Sequence, residues 1–181
     1  MPIVEARSGK EKKIVFPTHC PVCNSELFKP EAEANWRCIN YSCPAQVVER
    51  LIHFVSKDAM DIAGLGKKIV EEFVSLGFLH SIPDIYKLNF EAIRKLEGWK
   101  DKSVNNLKEA IEKSKTQSLP RLIFGMGIRF VGETTAKKLA NQVSDISDYE
   151  NYSVEQLQSL EDVGPDRKST RLNSSHTVIS Y

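Results

Sequence analysis

Four cysteines fall within one window of the 181-residue sequence, and their spacing suits the binding of a metal ion. They form a C-x2-C pair, a spacer of fourteen residues and a C-x4-C pair, at Cys20, Cys23, Cys38 and Cys43. Two close pairs of thiolates brought together by a loop match the tetrahedral coordination of Zn²⁺. Because four protein ligands leave no open position on the metal, we expect a structural zinc ion and not a catalytic one.

Two disulfides are the alternative reading of the same cysteines. Residues 1–13 carry charges but no apolar signal-peptide segment, so we expect a cytoplasmic protein, in which paired cysteines favour metal. His19 lies beside Cys20 and could compete as a ligand, but four thiolates already complete the site. No apolar run is long enough to span a membrane.

A repeat follows the cysteine window. Four turns align on the anchor residues Gly66, Lys100, Gly132 and Gly164, which are 34, 32 and 32 residues apart. Apolar residues recur four and one positions before each anchor and, in the first three units, four and seven positions after it. These residues are Ile62, Leu65, Val70 and Phe73; Leu96, Trp99, Val104 and Leu107; Ile128, Val131, Ala136 and Leu139; and Leu160 and Val163. Each unit is therefore predicted to be a helix, a tight turn and a second helix, with Asn89, Ser118 and Ser153 as helix N-caps.

The fourth unit loses this pattern after its turn. Lys168 and Arg171 occupy its apolar positions, and residues 168–181 are rich in Ser, Thr and Asn. We interpret residues 166–181 as a non-native tail, with a genuine flexible tail as the alternative.

The repeated turns have the composition of phosphate-binding sites. A helix that starts after a turn exposes unpaired backbone N–H groups, and glycine permits a positive φ and the close approach of a DNA backbone. Such contacts hold a duplex without reading its sequence. The candidate DNA contacts at the first three turns are Gly64, Leu65, Gly66, Lys67 and Lys68; Gly98, Lys102 and Ser103; and Arg129, Val131, Gly132, Thr134, Thr135 and Lys137. Lys100 replaces the anchor glycine of the second unit, so that unit is expected to contribute least. The net charge of +1 gives no support of its own.

These residues together resemble the C-terminal half of bacterial NAD⁺-dependent DNA ligases, in which a four-cysteine zinc finger precedes tandem helix-hairpin-helix motifs. The resemblance rests on Cys20-Pro21-Val22-Cys23 and on residues 38–46, 59–66, 96–98, 127–136 and 162–165. It implies a mainly α fold. Its domains would be a stub of an upstream oligonucleotide-binding domain at 1–16, the zinc finger at 17–44, and a helix-hairpin-helix domain at 45–165 with a truncated fourth unit.

The resemblance also implies a function. Such ligases seal nicks in duplex DNA during replication and repair, and transfer AMP from NAD⁺ to a lysine in a K-x-D-G motif of an upstream domain. That motif does not occur in these 181 residues, so no catalytic residue is assigned and the chain is expected to be inactive alone. NAD⁺ and Mg²⁺ would serve only the full-length enzyme. We expect a monomer that grips nicked duplex without sequence preference.

Two alternatives remain at this stage. One is a stand-alone helix-hairpin-helix module of a repair nuclease or junction-binding protein. The other is a zinc-dependent protein-interaction module with no DNA role.

Overall fold

The chain divides into two compact units, Met1–Gln46 and Val47–Tyr181. The computed structural model describes residues 15–30, 34–153 and 156. Within these residues the structure is mainly helical, which confirms the predicted fold class. The predicted fourth turn and the proposed tail lie outside the described residues.

The first unit contains a short antiparallel pair of strands, β1 (Leu27–Phe28) and β2 (Arg37–Cys38). Leu27 lies opposite Cys38 in this register. An isolated bridge between His19 and Glu26 extends the pairing towards the first cysteine pair. The pairing therefore connects the segments that hold the two cysteine pairs.

Seven α-helices and one 3₁₀ helix make up the regular structure of the remaining described residues. They are α1 (Pro44–Val55), α2 (Lys67–Ser75), α3 (Ile82–Ile85), α4 (Phe90–Ile93), α5 (Asp101–Ser114), α6 (Leu119–Gly125), α7 (Glu133–Ala140) and the 3₁₀ helix Ile146–Asn151. Three hairpins follow from this order: α1–α2, α4–α5 and α6–α7. The predicted N-caps at Asn89 and Ser118 begin α4 and α6, and the Asn89 side chain accepts hydrogen bonds from the backbone of Glu91 and Ala92. None of the helices in the described ranges combines the length and the apolar character needed to cross a membrane.

The three hairpin turns share one backbone geometry. In each, the N–H one residue before the anchor donates to the carbonyl four residues before it: Leu65 to Ile62 over 3.3 Å, Trp99 to Leu96 over 3.2 Å and Val131 to Ile128 over 2.9 Å. The residue two positions before the anchor has a positive φ, which is +94° at Gly64, +82° at Gly98 and +62° at Phe130. This combination is typical of a type II turn.

The anchor residues themselves are extended and serve as N-caps. Their φ values are −69° at Gly66, −111° at Lys100 and −82° at Gly132. Any residue adopts such a φ, so the conformational role of glycine lies two positions earlier than the alignment on the anchors suggested.

The apolar periodicity predicted the core correctly. Val70, Val104 and Ala136, four residues after the anchors, are buried, as are Phe73, Leu107 and Leu139 at seven residues after. One core cluster spans the first two hairpins, from Leu51 to Ile111. A second cluster lies between α6 and α7 and takes in Ile123, Val131 and Leu139.

Polar contacts join the first and third hairpins. The Arg121 guanidinium donates to the carbonyls of Lys57 and Ala59, the latter over 2.6 Å. The His53 ring nitrogen Nε2 lies 2.8 Å from the carbonyl oxygen of Phe124. A Cβ at Gly125 would stand 3.2 Å from the Ala59 side chain, so this close approach needs glycine. These contacts fix α6 against the segment that leads into the first turn.

Candidate metal centre and nucleic-acid interface

The four cysteine sulfurs form one cluster. All four Sγ atoms lie within 4.8 Å of one another, with 4.0 Å between Cys20 and Cys43 and 3.5 Å between Cys23 and Cys38. A tetrahedral zinc ion with Zn–S bonds of about 2.3 Å needs sulfur separations of about 3.8 Å. A disulfide needs about 2.05 Å, and all four cysteines are free. The donor set therefore fits Zn²⁺, and the disulfide alternative is not realised.

Local backbone geometry presents each pair of thiols. In the first pair, the Asn24 N–H donates to the Cys20 carbonyl over 2.9 Å, and Asn24 adopts a left-handed φ of +56° that asparagine tolerates well. In the second pair, the Cys43 N–H donates to the Asn40 carbonyl over 3.0 Å. The Gln46 side-chain amide donates to the Cys38 carbonyl. Each knuckle is thus held by its own hydrogen bonds.

The thiols differ electrostatically when no metal ion is considered. Hydrogen bonds from the side chain and backbone of Ser25 lower the pKa of the Cys23 thiol to about 6. Burial raises the pKa of the Cys38 thiol to about 12. A coordinated Zn²⁺ holds every ligand as thiolate, so metal binding would release the proton of the Cys38 thiol.

His19 takes no part in the cluster. The imidazole is exposed, and its Nδ1 lies 3.0 Å from the Thr18 hydroxyl. Among the described residues the group that could hold a metal ion consists of the four cysteines.

The first turn is open and cationic. Gly66 caps α2, and a Cβ there would meet nothing within 4 Å. Lys67 and Lys68 are exposed, and the first turn of α2 contains no acidic residue. The Lys67 ammonium lies 4.0 Å from the Glu49 carboxylate and 3.9 Å from that of Glu71. Both ion pairs are long and exposed, so they are weak and Lys67 can exchange them for another partner.

Leu65 and Val131 have a supporting role. Both side chains are buried, at 1% and 6% exposure, and both N–H groups are used to close their turns. Both residues shape their turns. Their side chains and N–H groups are already used in the fold, so a DNA contact would have to come from another group of the same residue.

The second turn is acidic. Glu97 stands where the first turn has Ala63, and Asp101 lies in the first turn of α5, where it pairs with Arg94 over 2.8 Å. The Ser103 hydroxyl accepts from the Lys100 N–H over 3.2 Å, so it is already engaged. Lys102 is exposed beside these carboxylates. The second turn therefore carries acidic residues on both sides of its anchor Lys100, which is unfavourable for binding a phosphate.

The second hairpin also supports the first. The Leu107 side chain would lie 3.7 Å from a Cβ at Gly64. Glu72 and Glu97 both line a groove of about 470 Å³ between the first two turns. The packing and the acidic charge of the second hairpin agree with a structural role for it.

The third turn is open and carries mixed charge. Gly132 caps α7, and a Cβ there would meet nothing within 4 Å. Lys137 donates to Glu133 over 2.8 Å, and this hydrogen bond is the main reason that the pKa of the Glu133 carboxyl lies below its usual range. Thr134 is exposed, whereas Thr135 is buried at 8% exposure. The N-terminus of α7 therefore carries an ionised acidic residue whose charge is paired with Lys137 of the same helix.

Two residues near these turns were missed by sequence reasoning. Phe130 takes the left-handed position of the third turn, and the Arg129 guanidinium lies 4.2 Å from the centre of its ring. Arg121 binds carbonyls of the first hairpin. Only the repeat position of Phe130, aligned with Gly64 and Gly98, could have drawn attention to it.

Both units of the chain are similar to known proteins. The family model of the NAD-dependent DNA ligase C4 zinc finger domain matches residues 19–45, and that of the helix-hairpin-helix motif matches residues 121–167. A DNA ligase of Persephonella marina is 58% identical over 162 residues, covering 90% of this chain and 23% of the relative. A DNA ligase of Sulfurihydrogenibium azorense is 55% identical over 172 residues, covering 95% and 24%. That of Aquifex aeolicus is 46% identical over 160 residues, covering 88% and 22%. The chain spans about a quarter of the length of these relatives.

Proposed function

We propose that the chain is the zinc-finger and helix-hairpin-helix segment of a bacterial NAD-dependent DNA ligase, and that this segment grips duplex DNA through its backbone phosphates while the rest of the enzyme seals a nick. The observation that carries the proposal is the pair of open, extended glycine N-caps, Gly66 and Gly132. Each lets a phosphate approach the free N–H groups at the start of a helix.

The charges around the three turns determine how strongly each turn binds phosphate. Lys67 and Lys68 stand at a helix N-terminus without an acidic residue, so the first turn binds phosphate most strongly. The third turn follows, with Arg129 nearby and Glu133 offset by Lys137. The second turn supports the first by packing. None of these contacts reads a base, so binding is independent of sequence.

The zinc ion has a structural role in this proposal. Cys20, Cys23, Cys38 and Cys43 would hold it, and it would keep the two knuckles together in a unit that contains few buried side chains. The AMP transfer from NAD⁺ that opens the ligase reaction would need groups beyond these 181 residues, since the K-x-D-G motif is not among them.

Fluorescence anisotropy tests the proposal. The zinc-loaded chain is titrated into labelled duplexes of two unrelated sequences, each prepared intact and with a central nick, over a series of salt concentrations. We expect binding to the nicked duplexes with equal affinity for both sequences, and a logarithm of the binding constant that falls linearly with that of the salt concentration. A failure to bind at low salt, or a strong preference for one sequence, would contradict the proposal.

A further inference from the structure

Phe130 is held in a backbone conformation that its turn does not require of a bulky residue. Its φ is +62°, and the equivalent positions of the first two turns are Gly64 and Gly98. A left-handed φ is disfavoured for a residue with a Cβ, and least costly for glycine. The fold would therefore accept glycine here, and the phenyl ring needs another explanation.

The ring contributes little to the core. Among the described residues, the apolar cluster around α6 and α7 includes Ile128 and Val131 on either side of the turn but not Phe130. The side chain is 44% exposed. A large apolar group is thus carried at the surface of the turn at the cost of an unfavourable backbone conformation.

The surroundings of the ring are those of the proposed nucleic-acid interface. The Arg129 guanidinium lies 4.2 Å from the ring centre, which restricts the orientation of both side chains. Two residues later Gly132 opens the N-terminus of α7 to a phosphate. The first turn has Ala63 and Gly64 in the corresponding places, so the aromatic and cationic pair is a feature of the third turn only, among the described turns.

We propose that Phe130 is an aromatic DNA contact, whose ring packs against the nonpolar sugar and base surface of a groove when the third turn binds the backbone. The inference rests on the proposed function and deepens it, because it adds an apolar contact to contacts that depend on charge. Proteins that bind the minor groove of a duplex often place apolar side chains such as Phe against or between its base steps, and this contact does not depend on a particular base.

The test compares Phe130→Gly, which removes the ring and relieves the backbone, with Phe130→Trp, which keeps an aromatic ring. Leu76→Ala is the matched control, because Leu76 is an exposed apolar residue, at 49%, at the C-terminal end of α2. Three quantities are measured for each variant of the 181-residue chain. They are the affinity for the nicked duplex, the dependence of that affinity on salt concentration, and the melting temperature.

We expect Phe130→Gly to weaken binding about tenfold, with an unchanged salt slope because no charge is removed. Its melting temperature should be equal to or above that of the unchanged chain. Phe130→Trp should retain most of the affinity, and Leu76→Ala should bind as the unchanged chain does.

Three results would overturn the inference. Equal affinity of Phe130→Gly and the unchanged chain would show that the ring does not touch DNA. A marked fall in its melting temperature would assign the ring a structural role. A failure of the unchanged chain to bind duplex would remove both this inference and the proposed function, whereas the first two results leave the proposed function intact.

Discussion

Asp84 and Asp148 make the same hydrogen bonds at equivalent places in the repeat, 64 residues apart. Asp84 Oδ2 accepts from the N–H groups of His80 and Ser81 over 2.9 and 2.8 Å. Asp148 Oδ2 accepts from the N–H groups of Ser144 and Asp145 over 3.0 and 2.9 Å. Each carboxylate starts the short helix that follows a hairpin. The segment that follows the first hairpin therefore resembles the segment that follows the third.

The Asp84 cap should make stability depend on pH. Burial opposes its ionisation, but hydrogen bonds from His80 and Ser81 hold the pKa of its carboxyl below the ordinary 3.8. A lowered pKa stabilises the fold above the ordinary value, and this contribution disappears as the pH falls through the folded-state pKa. Asp84→Asn should lose at most about 1 kcal/mol at neutral pH, because an amide oxygen accepts weaker hydrogen bonds than a carboxylate does.

Thermal unfolding between pH 2 and 7 measures this effect, with Asp58→Asn as an exposed control. The difference between Asp84→Asn and the unchanged chain should shrink below a pH of about 4. A difference that stays constant with pH would show that the charge of Asp84 plays no part.

The chain should bind one zinc ion, and losing it should unfold one unit only. Structural zinc sites contribute on the order of 10 kcal/mol of apparent binding energy. Cys38→Ser removes a ligand, so it should release the metal and unfold the zinc finger between Pro17 and Cys43 while the later helices persist. Metal analysis and amide hydrogen exchange measure both results. His19→Ser should keep its zinc, and loss of zinc from this variant would contradict the four-cysteine site.

Replacing each of two glycines with serine should distinguish an effect on folding from an effect on DNA binding. Gly66 is extended and serine is a good N-cap, so Gly66→Ser should melt normally but bind duplex more weakly, since the side chain fills the open approach. Gly98→Ser should lose about 1–2 kcal/mol of stability because its φ of +82° is unfavourable for any residue with a Cβ. Chemical denaturation and anisotropy measure the two effects. A stable Gly98→Ser variant would count against the turn geometry.

Removing single charges should rank the turns. Lys68→Gln should weaken duplex binding and reduce the salt slope by about 0.9, the value for one phosphate contact. Lys102→Gln should change the slope less, because the second turn also carries the carboxylates of Glu97 and Asp101. Equal effects of the two substitutions would show that the second turn binds phosphate as well as the first.

The chain should not become adenylylated. No K-x-D-G motif is present among its residues, so incubation with NAD⁺ and Mg²⁺ should leave its mass unchanged. Mass spectrometry of the intact chain is the measurement, with a full-length relative as the positive control. An adduct of one AMP on a lysine would contradict the absence of catalytic groups.

Patterns of residue type and spacing were enough to predict the metal cluster and the core. Cysteine spacing identified four sulfurs that lie together, and the apolar positions around the anchors predicted the burial of Val70, Val104 and Ala136. Both patterns work because they reflect local geometry: a knuckle fixes two thiols, and a helix buries one face.

Contacts between distant segments could not be read in this way. Arg121 donates to the carbonyls of Lys57 and Ala59, which lie 64 and 62 residues earlier in the sequence, and only the folded chain brings these groups together. The sequence did not show which residue of each turn is left-handed, because glycine occurs both at the anchor and two residues before it in the first hairpin. An aromatic residue gives no local sign of a positive φ, so Phe130 passed unnoticed.

The separation of the left-handed position from the anchor has a consequence for how such a repeat can change over time. Folding constrains positions 64, 98 and 130, whereas the extended anchors at 66, 100 and 132 admit any side chain without backbone cost. One copy can therefore carry a residue other than glycine at its anchor without backbone strain, as the second turn does with Lys100. Saturation mutagenesis of position 66 should therefore yield many folded variants that differ mainly in their hold on DNA.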